Sequence, residues 1–169
     1  MQPLILSLKL DKSSFDVLDE LRRRHFPPER NFLSAHVTLF HALPGEQKSL
    51  VKQNLREISA NTEILSLKFP KLRFLGKGVA VEIECPALLQ LRKKLASVWH
   101  DFLGAQDLQG SKPHVTIQNK VAPDVAKHLY ESLAPSWQMP DGTGEGLLLW
   151  QYLNGPWKLI EEFAFAKSE

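Results

Sequence analysis

Two stretches of the chain, SAHVTLFHALP at 34–44 and SKPHVTIQNKV at 111–121, carry the same tripeptide. His-Val-Thr occupies positions 36–38 in the first stretch and positions 114–116 in the second. Both copies stand in apolar, β-branched surroundings that are typical of a strand. A single copy would be weak evidence of function, but two copies in matching surroundings indicate that the chain uses the tripeptide twice for one purpose.

Strand geometry predicts which side chains of each tripeptide point together. Successive side chains of a strand point to opposite faces, so His36 and Thr38 share one face while Val37 and Leu39 face the core. The second copy repeats this arrangement, with His114 and Thr116 on one face and Val115 and Ile117 on the other. We therefore expect two strands that each present an imidazole beside a hydroxyl.

The same order of elements is predicted around both tripeptides, from apolar periodicity and from capping and turn residues. The first unit has a strand, a helix, a strand, a helix and a strand at 3–10, 13–25, 35–41, 46–60 and 62–69. The second unit has the same series at 78–84, 87–103, 113–119, 123–133 and 146–153. A closing strand at 157–166 follows the hairpin signal Asn154-Gly155-Pro156.

This repeated order predicts one domain over residues 1–169, built from two pseudo-symmetric lobes with approximate repeats 3–69 and 78–153. Equivalent units generally pack about a pseudo-twofold axis, and equivalent residues then meet near that axis. The two histidines are therefore expected to share one site.

The composition and charge are typical of a globular protein, and no membrane-spanning segment is expected. Apolar residues make up 43% of the chain, charged residues 24%, and the formal net charge is +2, a mild excess that neither requires nor excludes nucleic acid. The single cysteine, Cys85, excludes an intrachain disulfide. No apolar run reaches the roughly 18 residues of a membrane span, and the N-terminal segment lacks the basic region of a signal peptide. We expect a cytoplasmic monomer.

Two imidazoles and two hydroxyls suit the chemistry of a phosphodiester. Histidine titrates near neutrality, so one ring can take a proton from the attacking oxygen while the other protonates the leaving oxygen. Threonine hydroxyls can donate to the non-bridging oxygens and stabilise the charge that develops on them. This scheme needs no cofactor or metal, and the sequence contains no set of residues with metal-ligand spacing.

The motifs HVTL at 36–39 and HVTI at 114–117, each in a repeated strand–helix unit, resemble those of the 2H phosphoesterase superfamily. The resemblance covers essentially the whole chain and is nearest to the bacterial 2′-5′ RNA ligase-like, cyclic phosphodiesterase branch. It implies a bilobal α+β fold in which two antiparallel sheets line a central cleft, with helices outside. It also implies His36 and His114 as catalytic residues, and Thr38 and Thr116 as phosphate-binding residues.

The activity implied by the resemblance is metal-independent opening of 2′,3′-cyclic phosphates to 2′-phosphates, on RNA ends or cyclic nucleotides. Cleavage or formation of 2′-5′ phosphodiester linkages is also implied. Two other functions stay open at this point: a non-catalytic module that binds RNA ends in the same cleft, and a metal-dependent hydrolase that uses the histidines as ligands.

Several neighbouring residues are candidates for substrate binding, most with a structural alternative. Lys112 and Phe40 continue the strand faces of the two histidines and could bind a phosphate or stack on a base. Arg30, in the loop before the first motif, could bind a terminal phosphate. A base-stacking wall around the 154–156 turn could be formed by Trp150, Tyr152 and Trp157. The alternative for Lys112 is a solvated lysine at the strand entry, and the alternative for the aromatic residues is core packing.

Other positive and titratable residues are interpreted as surface features. The run Arg22-Arg23-Arg24 is expected to be a solvated helix end that complements the helix dipole. The remaining histidines lack the neighbouring threonine and are expected at the surface or at helix ends, namely His25, His41, His100 and His128.

Overall fold

The computed structural model of the protein describes residues 1–110 and 112–167. Its strands, in chain order, are β1 (Leu4–Leu10), β2 (Val37–Leu43), β3 (Leu65–Leu67), β4 (Leu72–Phe74), β5 (Val79–Glu82), β6 (His114–Gln118), β7 (Gly142–Tyr152) and β8 (Trp157–Ala164). Its α-helices are α1 (Lys12–His25), α2 (Lys48–Ala60), α3 (Pro86–Val98), α4 (Ala105–Gln109) and α5 (Pro123–Leu133). Among these helices, none is long and apolar enough to cross a membrane.

The strands form two antiparallel sheets, and each sheet contains one His-Val-Thr strand. The first sheet has the order β2-β1-β7-β3, with β8 also paired to β7, and the second has the order β4-β5-β6. The motif strand lies beside the first strand of its own half in both sheets. The next strand comes from the other half of the chain, because β7 lies beside β1 and β4 lies beside β5. The predicted α+β class with two antiparallel sheets is confirmed.

The capping residue of α1 also attaches that helix to the first sheet. The carboxylate of Asp11 accepts from the backbone N–H of Ser14 at 3.1 Å and from that of Thr143 at 2.9 Å. A capping aspartate satisfies a backbone donor that the helix leaves free. Because Thr143 belongs to β7, the same side chain sets where the helix leaves the sheet.

Both motif strands are irregular immediately after the threonine. In the β1–β2 pair, Ser7 lies opposite Thr38 while the preceding Leu6 lies opposite Phe40, so β2 contains one extra residue, Leu39. A bulge of this kind interrupts the alternation of faces. Leu39 and Phe40 are both buried as a result.

The second motif strand has the corresponding bulge at the corresponding place. Ala80 lies opposite Thr116 and the preceding Val79 lies opposite Gln118, with Ile117 as the extra residue. Ile117 and Gln118 are both buried. The likeness of the two motif strands therefore extends beyond the shared tripeptide to their backbone irregularity.

The expectation that Phe40 continues the face of His36 is wrong because of this bulge. Phe40 is completely buried, and its ring packs edge-on against Trp99 at a centroid distance of 5.1 Å. A ring in this position has no face open to a nucleobase. Phe40 is a core residue.

Arg22 connects the first half of the chain to the second motif strand. Its side chain is only 4% exposed, although it belongs to the arginine run at the end of α1. Nη1 donates to the carbonyl oxygen of Thr116 at 2.9 Å, and Nε lies 3.0 Å from the carbonyl oxygen of Leu33 and 2.9 Å from Oδ1 of Asn31. The prediction of a solvated helix end is wrong for Arg22, whereas Arg23 is exposed.

Arg92 makes the reciprocal connection from the second half to the first motif strand. It lies on α3, and its Nε donates to the carbonyl oxygen of Leu39 at 2.9 Å. Its guanidinium carbon lies 4.4 Å from the centre of the Phe40 ring. The carboxylate of Asp107, on α4, accepts from the backbone N–H groups of His41 and Ala42. The end of β2 is therefore held by the second half of the chain.

The structure differs from the sequence-based elements in five places, one of which is that β7 begins at Gly142 rather than at residue 146. Neither β4 nor α4 was predicted, because three residues after Pro70 and five residues after Gly104 are too short to show a period. The predicted strand at 62–69 is regular only over Leu65–Leu67. Helix α3 ends at Val98 rather than at residue 103 because the chain continues as a 3₁₀ turn.

Replacing Arg22 by Met should lower the free energy of unfolding by about 2–4 kcal/mol, since buried carbonyl groups lose a charged donor. Methionine keeps an apolar stem of similar length, so the loss reports the hydrogen bonds. Urea denaturation measures it. The matched control is Arg23→Met, the exposed neighbour, for which a change below about 1 kcal/mol is expected. Equal losses in the two variants would contradict the role given to Arg22.

Candidate active site

His36 is held by its own strand entry and by an aromatic ring. Its Nδ1 lies 2.8 Å from the carbonyl oxygen of Ser34, and a carbonyl can only accept, so Nδ1 carries the hydrogen. This leaves Nε2 as the ring nitrogen able to exchange a proton with a ligand. The indole of Trp157 packs against the imidazole, with centroids 4.7 Å apart and planes tilted by 59°.

His114 repeats this arrangement on β6. Its Nδ1 lies 2.9 Å from the carbonyl oxygen of Lys112, again two residues earlier in the chain. Nη1 of Arg73 also approaches the same Nδ1, at 3.4 Å. Because the single Nδ1 hydrogen is directed at the shorter carbonyl contact, Arg73 is a charged neighbour rather than a hydrogen-bond donor to the ring.

The threonines lie on the same faces as the histidines. Thr38 and Thr116 are half-buried, and the residues between each threonine and its histidine, Val37 and Val115, are completely buried. Strands β2 and β6 pack against each other. The fold therefore brings the two imidazole–hydroxyl pairs onto neighbouring strands at the junction of the sheets.

Burial lowers the pKa of both histidines. The pKa of His36 falls to about 4, chiefly because burial disfavours the charged ring, against an opposing effect of the Ser34 carbonyl. The charges of Arg22, His114 and His41 lower this pKa further.

The pKa of His114 is also lowered, first by burial and then by the charges of Arg73 and His41. The carbonyl of Lys112 and the carboxylate of Glu82 act in the opposite direction. Both rings are therefore neutral in the free protein at neutral pH, with Nε2 available to accept a proton.

A cavity of about 570 Å³ opens beside His36. Trp150 and Trp157 line one side of it, and Ser34 and Phe32 lie on the loop side. The two indole rings are 5.9 Å apart, and Trp150 Nε1 donates to Ser7 Oγ at 2.8 Å. The cavity is large enough for a nucleoside and offers aromatic faces on which a base can stack.

The other sequence-predicted residues do not line this cavity, and these include Thr38, His114 and Thr116. Lys112 is exposed, and its backbone carbonyl, rather than its ammonium group, contacts His114. Arg30 is exposed on a short 3₁₀ turn and does not line the cavity. Tyr152 is half-buried opposite Trp157 in the β7–β8 pair and is also not part of the lining.

Two residues of the site were not found from the sequence. Phe32 is 63% exposed at the cavity, in a loop without periodicity. Arg73 contacts His114 from β4, a strand too short to predict. For Phe32, the only signal in the sequence is a phenylalanine four residues before a motif histidine. The sequence gives no signal for Arg73.

No group of three or more His, Cys, Asp or Glu side chains that could hold a metal ion occurs within residues 1–110 and 112–167.

Comparison with protein families gives a match over residues 10–156 to the family described as the 2′-5′ RNA ligase superfamily. No curated protein is significantly similar to the chain in sequence.

Solved structures share the fold at low sequence identity. TT0787 of Thermus thermophilus is 16% identical with a TM-score of 0.68, over 99% of this chain and 100% of that one. E. coli LigT, crystallised with 3′-AMP, is 16% identical with a TM-score of 0.60, over 98% of each chain. A structure described as a phosphoesterase is 17% identical with a TM-score of 0.65, over 98% of this chain and 99% of that one.

Stability should depend on His36 in mildly acidic solution. Because the folded-state pKa is depressed from 6.5 to about 4, the unfolded chain binds the proton more tightly. The stability that the neutral His36 ring contributes is therefore fully present above pH 6.5 and is lost as the pH falls toward 4. Urea denaturation across this window should show that the free energy of unfolding falls more steeply with decreasing pH in the wild type than in His36→Gln. His128→Gln, on the exposed face of α5, should follow the wild type, and parallel curves for all three proteins would contradict the assignment.

Proposed function

Since the chain belongs to the 2′-5′ RNA ligase superfamily, whose activities are those of phosphoesterases and ligases on RNA or nucleotides, we propose a specific reaction for it. The protein opens 2′,3′-cyclic phosphates to 2′-phosphates by two-histidine acid/base catalysis without a metal ion. The same chemistry cleaves or forms 2′-5′ phosphodiester linkages.

The observation that carries this proposal is the pair of equivalent imidazole–hydroxyl sets. His36 and His114 are both tethered through Nδ1 to a carbonyl two residues earlier, which leaves Nε2 for proton transfer. Thr38 and Thr116 lie beside them on the same strand faces and would donate to the non-bridging oxygens of a phosphate bound between the strands. Such a pair provides one group for each of the two proton transfers.

In the proposed hydrolysis, one neutral histidine takes a proton from water as the water oxygen attacks phosphorus. The bond between phosphorus and the ribose 3′ oxygen breaks, and the second histidine, protonated, gives its proton to that oxygen. When a 5′ hydroxyl attacks instead of water, the product is a 2′-5′ linkage. Both rings are neutral in the free protein, so one proton must be taken up with the substrate. The negative charge of the bound phosphate favours this uptake.

Replacing either histidine by alanine should reduce turnover by about 10²–10⁴-fold, the usual size of a general acid or base contribution. The assay uses the nucleoside 2′,3′-cyclic monophosphates and a short RNA ending in a cyclic phosphate, with EDTA present. Products are resolved as 2′- or 3′-phosphates. The control is His128→Ala, which removes an exposed imidazole on α5, outside both motifs, and should leave turnover unchanged.

Three outcomes would contradict the proposed function. Near wild-type turnover in both His36→Ala and His114→Ala would remove the acid/base assignment. Activity that EDTA abolishes would indicate a metal-dependent hydrolase. Binding of 2′-phosphorylated oligonucleotides without turnover of any cyclic phosphate would indicate a non-catalytic RNA-end binding module.

We also propose that the base of the substrate stacks on Trp157 in the cavity beside His36. Trp157→Ala should raise KM for nucleoside cyclic phosphates about tenfold or more, because stacking on an aromatic residue contributes about 1–3 kcal/mol per base. Trp157→Phe should keep most of the affinity. With glycerol 1,2-cyclic phosphate, which lacks a base, the increase in KM caused by Trp157→Ala should be much smaller. An equal increase in KM for both substrates would mean that Trp157 acts only by packing against His36.

A further inference from the structure

Arg73 lies on the catalytic face of the second sheet. In the register of that sheet it is opposite Ala80, which is opposite Thr116 on β6. Glu82 is opposite His114. Directly opposed residues of neighbouring strands share a face, so the arginine, the carboxylate and the motif side chains all lie on one surface. The small side chain of Ala80 leaves room for the guanidinium to reach the histidine.

The guanidinium of Arg73 is fixed rather than free. Its Nε donates to Glu82 Oε1 at 3.0 Å, and the two side chains are only 27% and 17% exposed. Its Nη1 lies 3.4 Å from Nδ1 of His114. A partly buried, charge-assisted hydrogen bond of this kind holds the planar guanidinium in one orientation. The contact with the histidine is therefore a built feature of the second sheet.

Within the described residues, the first sheet has no equivalent of this ion pair beside its motif histidine. There the corresponding register row runs from Thr38 through Ser7 to Leu148, so leucine occupies the place of Arg73. The ring of His36 instead packs against Trp157. The two motif histidines have the same sequence context and the same Nδ1 tether, yet one faces an aromatic ring and the other a guanidinium.

We propose that Arg73, held by Glu82, is a positioning residue for His114. The Lys112 carbonyl keeps the ring in the Nδ1–H form, and the guanidinium packed beside it holds the ring in place with Nε2 unprotonated and ready to accept. The positive charge also opposes protonation of the ring. This inference rests on the proposed function for its catalytic meaning, but not for its test.

The other titratable or charged groups that act on His114 are few. His41 on β2 adds a further unfavourable interaction with the protonated ring, and Glu82 on β5 favours it. His36 interacts with it from the first sheet. Arg73 is the positive group in direct contact with the ring, so its removal should have a distinct effect.

The test is an NMR titration of the histidine Cε1–H signals, with the signal of His114 assigned from its loss in His114→Gln. In Arg73→Gln the pKa of His114 should rise. In Arg73→Lys, which keeps the positive charge but loses the planar guanidinium, the pKa of His114 should rise less. Arg56→Gln removes an exposed arginine that pairs with Glu161, and it should leave the titration unchanged. Imidazole ¹⁵N shifts should show Nε2 unprotonated at neutral pH in the wild type, and in Arg73→Gln the protonated ring should persist to higher pH.

Kinetics on a 2′,3′-cyclic phosphate give the second measurement. In Arg73→Gln, kcat at neutral pH should fall about tenfold or more, since misorientation of a reacting group is costly. The limb of the pH profile that belongs to His114 should move to higher pH, and a merely structural role would not move it.

A folded Arg73→Gln variant with an unchanged His114 titration would overturn the inference. A wild-type protein that turns over no cyclic phosphate would instead count against the proposed function, while the titration would still decide the role of Arg73. If Arg73→Gln does not fold, an unchanged His114 titration in Arg73→Met, which keeps the apolar stem, overturns the inference equally.

Discussion

Two arginines that cross between the halves of the chain, Arg22 buried and Arg92 half-buried, determine the geometry of the cleft. Arg22, from α1, bonds the carbonyl of Thr116 in the second motif strand, and Arg92, from α3, bonds the carbonyl of Leu39 in the first. Burial lowers the pKa of Arg22 to about 10, which still leaves it charged at neutral pH. A buried guanidinium is tolerated only where its donors find oxygen acceptors. These arginines therefore fix the separation of the motif strands, and the site between those strands depends on both.

Equal motifs in unequal surroundings are the main chemical feature of the site. Each histidine is held by the same local contact, a hydrogen bond from Nδ1 to a carbonyl two residues earlier. Their neighbours then differ, with Trp157 and an aromatic cavity on one side and the Arg73–Glu82 pair on the other. A substrate that has both an aromatic base and an anionic phosphate is asymmetric in the same way. The two surfaces are therefore suited to orient such a substrate in one direction only.

The parts of the fold that were predictable from the sequence are those set by regular local geometry. The alternation in β6 placed His114 and Thr116 on one face, and the periodicity of α1, α2 and α5 located those helices to within about two residues. The prediction failed at Phe40, because a bulge depends on the partner strand and leaves no mark on its own sequence. It failed at Arg22 because nothing in an arginine run shows which member meets a buried carbonyl. It also missed β4, whose three residues form a strand only through pairing with β5.

What the sequence by itself determined is the repeated motif, the faces on which its histidines and threonines lie, the α+β class and the superfamily. These properties follow from side-chain direction over a few consecutive residues, and a strand or helix imposes that direction wherever it is packed. Only the tertiary structure decided which residues surround each histidine, because Trp157, Arg73, Arg22 and Arg92 reach the site from distant segments. Their positions depend on sheet register and on the exchange of strands between the halves. The resulting burial and charge, rather than the motif itself, lower the pKa of both imidazoles and make the two sides of the cleft different.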